Sequence, residues 1–436
     1  MNPQTKAGSW GRLSHQLHRI EPLRNRHGIR LAADPGCPGV AYGNGRSYGD
    51  ACLNPGGRLW TMRGLDRFIA FDVASGRLEA EAGVLLREII EVALPHGWFL
   101  PVTPGTQYAT LGGAIANDVH GKNHHRDGTL GEHVLGLMLA RTDGTRIDCT
   151  SAANGEWLRA TIGGLGLTGV IVSARIQLQR VPGPWLDTET LPFATLDEFF
   201  ALSRQSEAGW QYTVSWIDCT GSAQAAVRGV FYRGNHATNA AAEPPLRERS
   251  LSLTPPFSLV NAASLRVFNA MYFRTQSLKR GRRCQHYRAF FYPLDHVLGW
   301  NRAYGPRGFY QYQCVLPRVV EAAAADELLR QIRTAGTGSF LAVLKTFGDR
   351  PGAGMLSFPM AGTTLALDFP NQGVATLQLF DRLDRVVAEA GGRIYAAKDA
   401  RMSAAMFEQG YPALDGFLRF RDAGISSAMS RRLLGA

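Results

Sequence analysis

The chain has 436 residues, 45% apolar and 19% charged, which excludes a disordered or fibrous chain and suits two domains with room for a cofactor. Its formal charge of +11 points to an anionic partner (nucleic acid, an anionic membrane surface or a phosphorylated ligand) or to a plainly basic surface. The six cysteines form no C-x-x-C pair, so no zinc or thioredoxin-like site is suggested and reduced thiols are expected.

In chain order, residues 1–20 lack the apolar core of a signal peptide. No apolar run reaches the roughly 18 residues of a membrane span, so a cytoplasmic protein is expected. Residues 68–73 and 78–82 alternate apolar and polar positions around Ala74-Ser75-Gly76, which predicts a hairpin. Leu86, Ile89, Ile90, Ala93 and Leu94 have helical spacing, and Pro95 and Gly97 end that helix. Residues 134–140 and 146–149 flank Asp143-Gly144 as a second hairpin, and 170–178 read as a strand with one buried face.

Beyond residues 181–184 the strands become longer and aromatic-rich: 211–219, 225–233, 288–294, 309–317, 339–347 and 363–369. Two helices, 319–335 and 375–390, interrupt them, which predicts an antiparallel sheet covered on one face. A domain boundary is placed near residue 181, with a return to the first domain near 393. Residues 235–283 look irregular, with Pro244-Pro245, Pro255-Pro256 and the basic run Lys279-Arg280-Gly281-Arg282-Arg283. They read either as a solvated loop or as a mobile cover whose Phe257, Leu259, Val260, Phe268 and Phe273 face something apolar.

Three glycine segments carry the chemistry. In Ala41-Tyr42-Gly43-Asn44-Gly45-Arg46-Ser47-Tyr48-Gly49-Asp50-Ala51 the missing Cβ atoms let backbone N–H groups approach an anion. The segment is neither a Rossmann fingerprint nor a P-loop. In the second, Gly105 precedes Thr110-Leu111-Gly112-Gly113-Ala114-Ile115-Ala116, whose small residues admit a flat ring, and the polar Asn117-Asp118-Val119-His120-Gly121-Lys122 follows. The third spans Gly163 to Gly169 and precedes a strand. No metal site is expected from His120, His124 and His125: they lack an H-E-x-x-H helix and an evident further ligand.

Taken in this order, the segments resemble the FAD-binding domain of the vanillyl-alcohol-oxidase family. The strings GRSYGD, HGKNHH, GLTG, WNRAYGP, SFP and DFP resemble its branch that oxidises ribose on a polyprenyl phosphate. The resemblance implies an α+β fold: a two-part FAD-binding domain, residues 1–180 and 393–436, around a substrate domain, 181–392, with an antiparallel sheet covered by helices. It implies FAD contacts at Ala41 to Ala51, Gly105, Thr110, Leu111, Gly112, Gly113, Asn117, Asp118, Val119, His120, Ile171 and Tyr395. It places His120, Lys122, Tyr48, Gln311, Gln313, Lys345 and Lys398 around the substrate face of the flavin, with Trp300 and Phe291 as pocket walls. The family pattern has cysteine and asparagine where this chain has Ala366 and Thr364.

The implied reaction is oxidation of a secondary alcohol, the 2'-hydroxyl of a polyprenylphosphoryl ribose, as the first half of an epimerisation. Lys398 is the expected base, against the competing reading of an ion pair with Asp399 or Asp368. Lys122 and His120 would orient the sugar or stabilise charge on the reduced flavin; Lys345 and the basic loop around Arg282 would hold a phosphate. Arg46 stands where many relatives carry the histidine that bonds FAD, so non-covalent FAD is expected. A short-chain dehydrogenase partner and peripheral contact with an anionic inner membrane surface would complete the picture. The alternative is an aldonolactone or alditol oxidase acting on a soluble sugar. A nucleic-acid-binding role lacks any helix-turn-helix, zinc-finger or RNP signature.

Overall fold

The computed structural model describes residues 4–31, 34, 36–239, 244–245 and 248–435. Three main sheets organise them. The first orders Gln4–Lys6, Leu17–Pro22, Arg58–Thr61 and Gly39–Tyr42, with the last three parallel. The second is antiparallel and orders Phe68–Asp72, Arg77–Glu81, Val170–Gln177, Val134–Ala140 and Arg146–Thr150, so both expected hairpins form. The third has eight antiparallel strands: Gly281–His286, Trp185–Phe193, Gly229–Ala237, Tyr212–Ile217, Ala342–Phe347, Gly362–Pro370, Phe309–Pro317 and Arg393–Ile394. Helices and antiparallel sheets thus coexist, as an α+β class requires.

The third sheet separates a core face from a site face by strand alternation. On Phe309–Pro317, Tyr312 turns to the helix side and meets Phe380, while Gln311 and Gln313 line a cavity. The core face is covered by Glu321–Thr334, which buries Ala325, Leu328, Leu329 and Ile332, and by Val374–Glu389, which buries Leu379, Phe380, Leu383 and Val387. Burying each such leucine is worth about 1.5–3 kcal/mol.

The chain's end packs along the first sheet. Ser426 N donates to Gly39 O, Gly39 N to Gly424 O and Ala428 N to Leu53 O. Thr142 N donates to Asp422, and Arg432 pairs with Asp50 at 2.8 Å.

Several expectations fail for local reasons. Residues 288–294 do not form a strand: Tyr287–Phe291 is a helix, because the His286 imidazole caps the Arg288 N–H at 3.4 Å and Pro293 stops extension. The stretch 235–283 is not irregular throughout. Asn261 caps a 16-residue helix, Ala262–Ser277, by accepting from Ala263 N and Ser264 N, and Gly281–His286 then adds an edge strand. Residues 240–243 and 246–247 of that stretch lie outside the described residues. Val260 packs inward with Leu265, Tyr304 and Phe309, and Phe273 lies under Arg228, so neither joins exposed Phe257, Leu259 and Phe268. Val170–Gln177 is buried on both faces along most of its length because it is the central strand, packed under Leu111–Ala116. Trp185–Phe193 and the helix Leu196–Ser206 were not foreseen.

Candidate active site

The strand Gly39–Tyr42 runs straight into the first glycine segment. An added Cβ at Gly43 would lie 2.5 Å from Thr110 Oγ1, and one at Gly49 would lie 1.7 Å from Asp399 O, so side chains there are excluded by contact. Gly45 adopts φ +60, the left-handed region that glycine enters without strain. From Asn44 to Tyr48 no backbone N–H donates to a described acceptor. Successive unclaimed amides of this kind form a nest for a diphosphate.

Across from this loop, Thr110 caps Leu111–Ala116 by accepting from Gly113 N at 3.2 Å. Gly112 lets the helix settle on the second sheet: its Cβ would meet that of Ala82 at 2.8 Å. The third glycine segment reaches the same space through Leu165, Gly166 and Gly169, with Leu165 itself at φ 57.

One cavity of about 630 Å³ joins these parts. Ala41, Gly43, Asn44, Gly45, Arg46, Ser47, Tyr48, Ala51, Gly105, Thr110, Gly112, Gly113, Asn117, Val119, His120, Ile171 and Tyr395 line it, as do Lys122, Gln311, Gln313, Lys345, Lys398, Trp300 and Phe291. Five expected contacts do not line it. The Tyr42 hydroxyl donates to Gly8 O, Asp50 pairs with Arg432, Leu111 is core, Gly49 lies against Asp399, and Asp118 accepts from Gly131 N and the Ser357 hydroxyl.

Beyond the helix the cavity becomes polar. Gln313 Nε2 donates to Thr364 Oγ1 at 3.1 Å, and Thr364 in turn donates to Cys314 O at 2.8 Å. The same amide lies 3.0 Å from His120 Nε2, which therefore accepts. The imidazole proton then sits on Nδ1, which has no partner among the described residues. Burial, with Lys345 and Lys398 adding to it, holds His120 well below its usual range and therefore neutral.

Three lysines converge here. Lys122 Nζ donates to Phe290 O and lies 4.7 Å from that ring; burial lowers its pKa to about 7. Lys345 Nζ donates to Gly121 O at 2.9 Å, and burial, then Lys398 and Lys122, hold its pKa well below the lysine range. Lys398 lies 5.3 Å from the Tyr48 ring and 5.9 Å from that of Tyr395. Burial lowers its pKa while Asp368 opposes the fall. No described carboxylate comes within ion-pair distance of Lys398: Asp399 takes Arg432 at 3.0 Å and Arg401 at 3.8 Å instead. The Tyr395 hydroxyl donates to Asn117 O at 2.6 Å, fixing the cradle to the third sheet.

His124 and His125 do not line the cavity: His124 Nδ1 accepts from Gly348 N, and His125 Nε2 lies 2.9 Å from Trp210 O. The sequence alone offers Asp368 only as an ion-pair partner for Lys398. It shares a strand face with Thr364 and Ala366, and that alternation was the available signal. Of the basic loop around Arg282, Lys279 and Arg283 line the cavity, while Arg282 itself alternates outward over Trp210.

The chain's groups fit a flavin dinucleotide: a nest of amides for the diphosphate, small residues for the ring, and, beyond it, Gln311 Oε1, Gln313 Oε1 and His120 Nδ1, all without a partner among the described residues. Fold and site together define an FAD-dependent oxidoreductase. Residues 26–150 match the FAD binding domain family. The chain is 35% identical to the decaprenylphosphoryl-beta-D-ribose oxidase of Mycolicibacterium smegmatis, over 97% of this chain and 96% of that protein. It is 31% identical to an uncharacterized protein of Streptomyces coelicolor, over 80% of this chain and all of that protein's length, 100%. L-gulonolactone oxidase of Bos taurus matches at 31% over 36% of this chain and 34% of its own. The chain belongs to the vanillyl-alcohol-oxidase-type family of FAD oxidoreductases that includes decaprenylphosphoryl-β-D-ribose oxidase. Among the described residues no helix is long and apolar enough to cross a membrane.

Proposed function

We propose that the chain oxidises ribose carried on a polyprenyl phosphate, at the 2'-hydroxyl, as the first half of an epimerisation. The observation that carries this reading is the charge of the cavity wall. Arg46, Lys122, Lys279, Arg283, Lys345 and Lys398 line it, and among the described residues Asp295 is the sole acidic side chain doing so. Burial lowers the pKa of Lys122, Lys345 and Lys398, so the standing positive charge rests on Arg46, in the loop that would meet the FAD diphosphate, and on Lys279 and Arg283, which a phosphorylated sugar answers and a free neutral sugar does not. The ribose oxidase that matches nearly the whole chain supports the same substrate class. The L-gulonolactone oxidase match covers too little to argue for a soluble sugar.

FAD, when bound, supplies the hydride acceptor. Lys398 in its neutral form takes the hydroxyl proton. His120, neutral and protonated on Nδ1, donates to a sugar oxygen. Gln311 and Gln313 present free carbonyl oxygens to sugar hydroxyls. Lys122 and Lys345 donate N–H to oxygen atoms on which negative charge develops. The FAD-binding unit is residues 1–180 with 393–436, and the substrate unit 181–392. FAD is held non-covalently: Arg46 stacks 4.2 Å from the Trp10 ring, and burial pushes the Cys52 thiol up to about 12, leaving it a poor nucleophile.

Epimerisation needs a second enzyme, a short-chain dehydrogenase, to return hydride to the ketone. Exposed Leu253, Phe257, Val267, Met271 and Leu278, beside exposed Lys279 and Arg280, form the face that meets an anionic membrane. Each such charge contributes about 1 kcal/mol there. Co-sedimentation with anionic vesicles that fades with salt checks this contact.

The deciding experiment is anaerobic mixing of the holoenzyme with farnesylphosphoryl ribose or with a free aldonolactone. Bleaching of the flavin by the phosphoryl sugar alone is expected. Bleaching by the lactone alone would establish the soluble-sugar oxidase instead.

A further inference from the structure

The cavity has a second polar region, at the edge of the third sheet opposite Arg393–Ile394, that takes part in no step of the proposed reaction. The edge strand Gly281–His286 alternates, so Arg283 and Gln285 turn into the cavity while Arg282 and Cys284 face out. Arg283 Nη2 donates to Thr190 Oγ1 at 3.0 Å. In the amide orientation that satisfies both ends, Gln285 Oε1 accepts from the same nitrogen at 2.9 Å. The guanidinium is thereby held in one place, yet no described carboxylate lies within ion-pair distance, and Nη1 donates to no described acceptor. Tyr232 and Tyr272, with hydroxyls 3.1 Å apart, feel its charge. Lys279, just past the end of Ala262–Ser277, lines the same region from the solvent side.

A fixed, half-buried guanidinium with a free N–H edge, a second cation lining the same cavity and no described counter-charge is the donor set of an anion site. We infer that Arg283 and Lys279 form a phosphate subsite at the outer end of the cavity, taking the phosphodiester that links sugar to lipid. Naming the anion as lipid-linked rests on the proposed function; the anion site itself does not. Gln285 and Thr190 position the Arg283 fork. Phosphate held here leaves the lipid at the solvent-facing mouth beside exposed Leu278 and Met271.

The test compares wild type, Arg283→Gln, Arg283→Lys and Lys279→Gln as FAD-loaded proteins. With farnesylphosphoryl ribose, Arg283→Gln should raise KM about 10-fold or more, as loss of a charge-assisted contact does, with kcat within about twofold. Arg283→Lys should recover part of that loss. Direct calorimetric binding of farnesyl phosphate should weaken in step, while inorganic phosphate at equal concentration binds poorly. An unchanged KM and unchanged farnesyl phosphate binding in both Gln variants would overturn the subsite. Equal binding of inorganic phosphate would overturn the lipid-linked assignment. Should Arg283→Gln not fold, exposed Lys279→Gln carries the same readouts. If wild type binds farnesyl phosphate through Arg283 but never oxidises the phosphoryl sugar, the proposed function fails and the anion site stands.

Discussion

Gln311 Nε2 donates to Asp368 Oδ1 across 2.5 Å, from directly opposed positions on antiparallel strands. The other carboxylate oxygen, Oδ2, has no described partner, and the residue is fully buried. Burial raises the Asp368 pKa; the Gln311 bond and Lys398 oppose the rise. Asp368 is in turn the carboxylate that acts on Lys398, whose other neighbours are Tyr48, Tyr395, Lys345 and His120.

This relationship sets a pH profile. Only neutral Lys398 accepts the hydroxyl proton, and burial brings its pKa down to about 8 against the pull of Asp368. The rate of flavin reduction by substrate should therefore rise as pH climbs through about 8 and then level. Asp368→Asn removes the charge that favours the protonated lysine. The rising limb should then move to lower pH, by about one pH unit, with FAD content unchanged. Stopped-flow reduction across pH measures both limbs, and a limb that stays in place removes Asp368 from this role.

Lys398→Ala should keep its fold and FAD but lose about 10²–10⁴-fold in flavin reduction, the usual contribution of a general base. Single-turnover bleaching is the measurement. A rate near wild type would move the base to another residue, with Lys122 next in line because its pKa is lowered to about 7.

Gly113→Val should abolish FAD binding. A Cβ at this position already lies 2.9 Å from Thr110 Oγ1, and the two further methyls would enter the cavity against the ring. The fold should survive, since Gly113 lines open space rather than core. Absorbance of the purified variant checks it: full flavin content would show that this segment does not touch the cofactor. In wild type, acid precipitation should leave the yellow colour in the supernatant, as non-covalent binding requires.

The parts legible in the sequence were those specified by local patterns. The glycine segments, the two hairpins and the helices over Glu321–Thr334 and Val374–Glu389 each advertise themselves within a few residues. Tyr287–Phe291 did not, because an aromatic-rich run reads as a strand until a histidine cap turns it. Ala262–Ser277 was missed because it leaves Val267 and Met271 in solvent and so carries no clean apolar stripe. Asp368 and Arg283 were underread for another reason. Their importance comes from register and facing, which put Gln311 opposite Asp368 and turned Arg283 rather than Arg282 inward.

A clamp joins the chain's end to the cradle. Arg432 Nη2 pairs with Asp50 Oδ1 at 2.8 Å and Nε with Asp50 Oδ2 at 3.1 Å, while Nη1 reaches Asp399 at 3.0 Å. One guanidinium thus joins the loop that carries the amide nest to the segment that carries Lys398. Asp399 O also sits where a Cβ on Gly49 would fall, so the two segments touch directly as well. Arg432→Ala leaves Asp50 mostly buried without its cation and leaves Asp399 with Arg401 alone, at 3.8 Å. Both are about four-fifths or more shielded, so the loss is set at about 2 kcal/mol, below the range for a fully buried pair. The denaturant midpoint of the holoenzyme should fall accordingly, and FAD should dissociate more readily because the nest loses its brace. Arg432→Lys should recover only part of either effect, since an ammonium cannot make the two-pronged contact with Asp50. Measured FAD affinity separates this account from simple destabilisation: an affinity equal to wild type, with stability alone reduced, would show that the clamp does not reach the cradle.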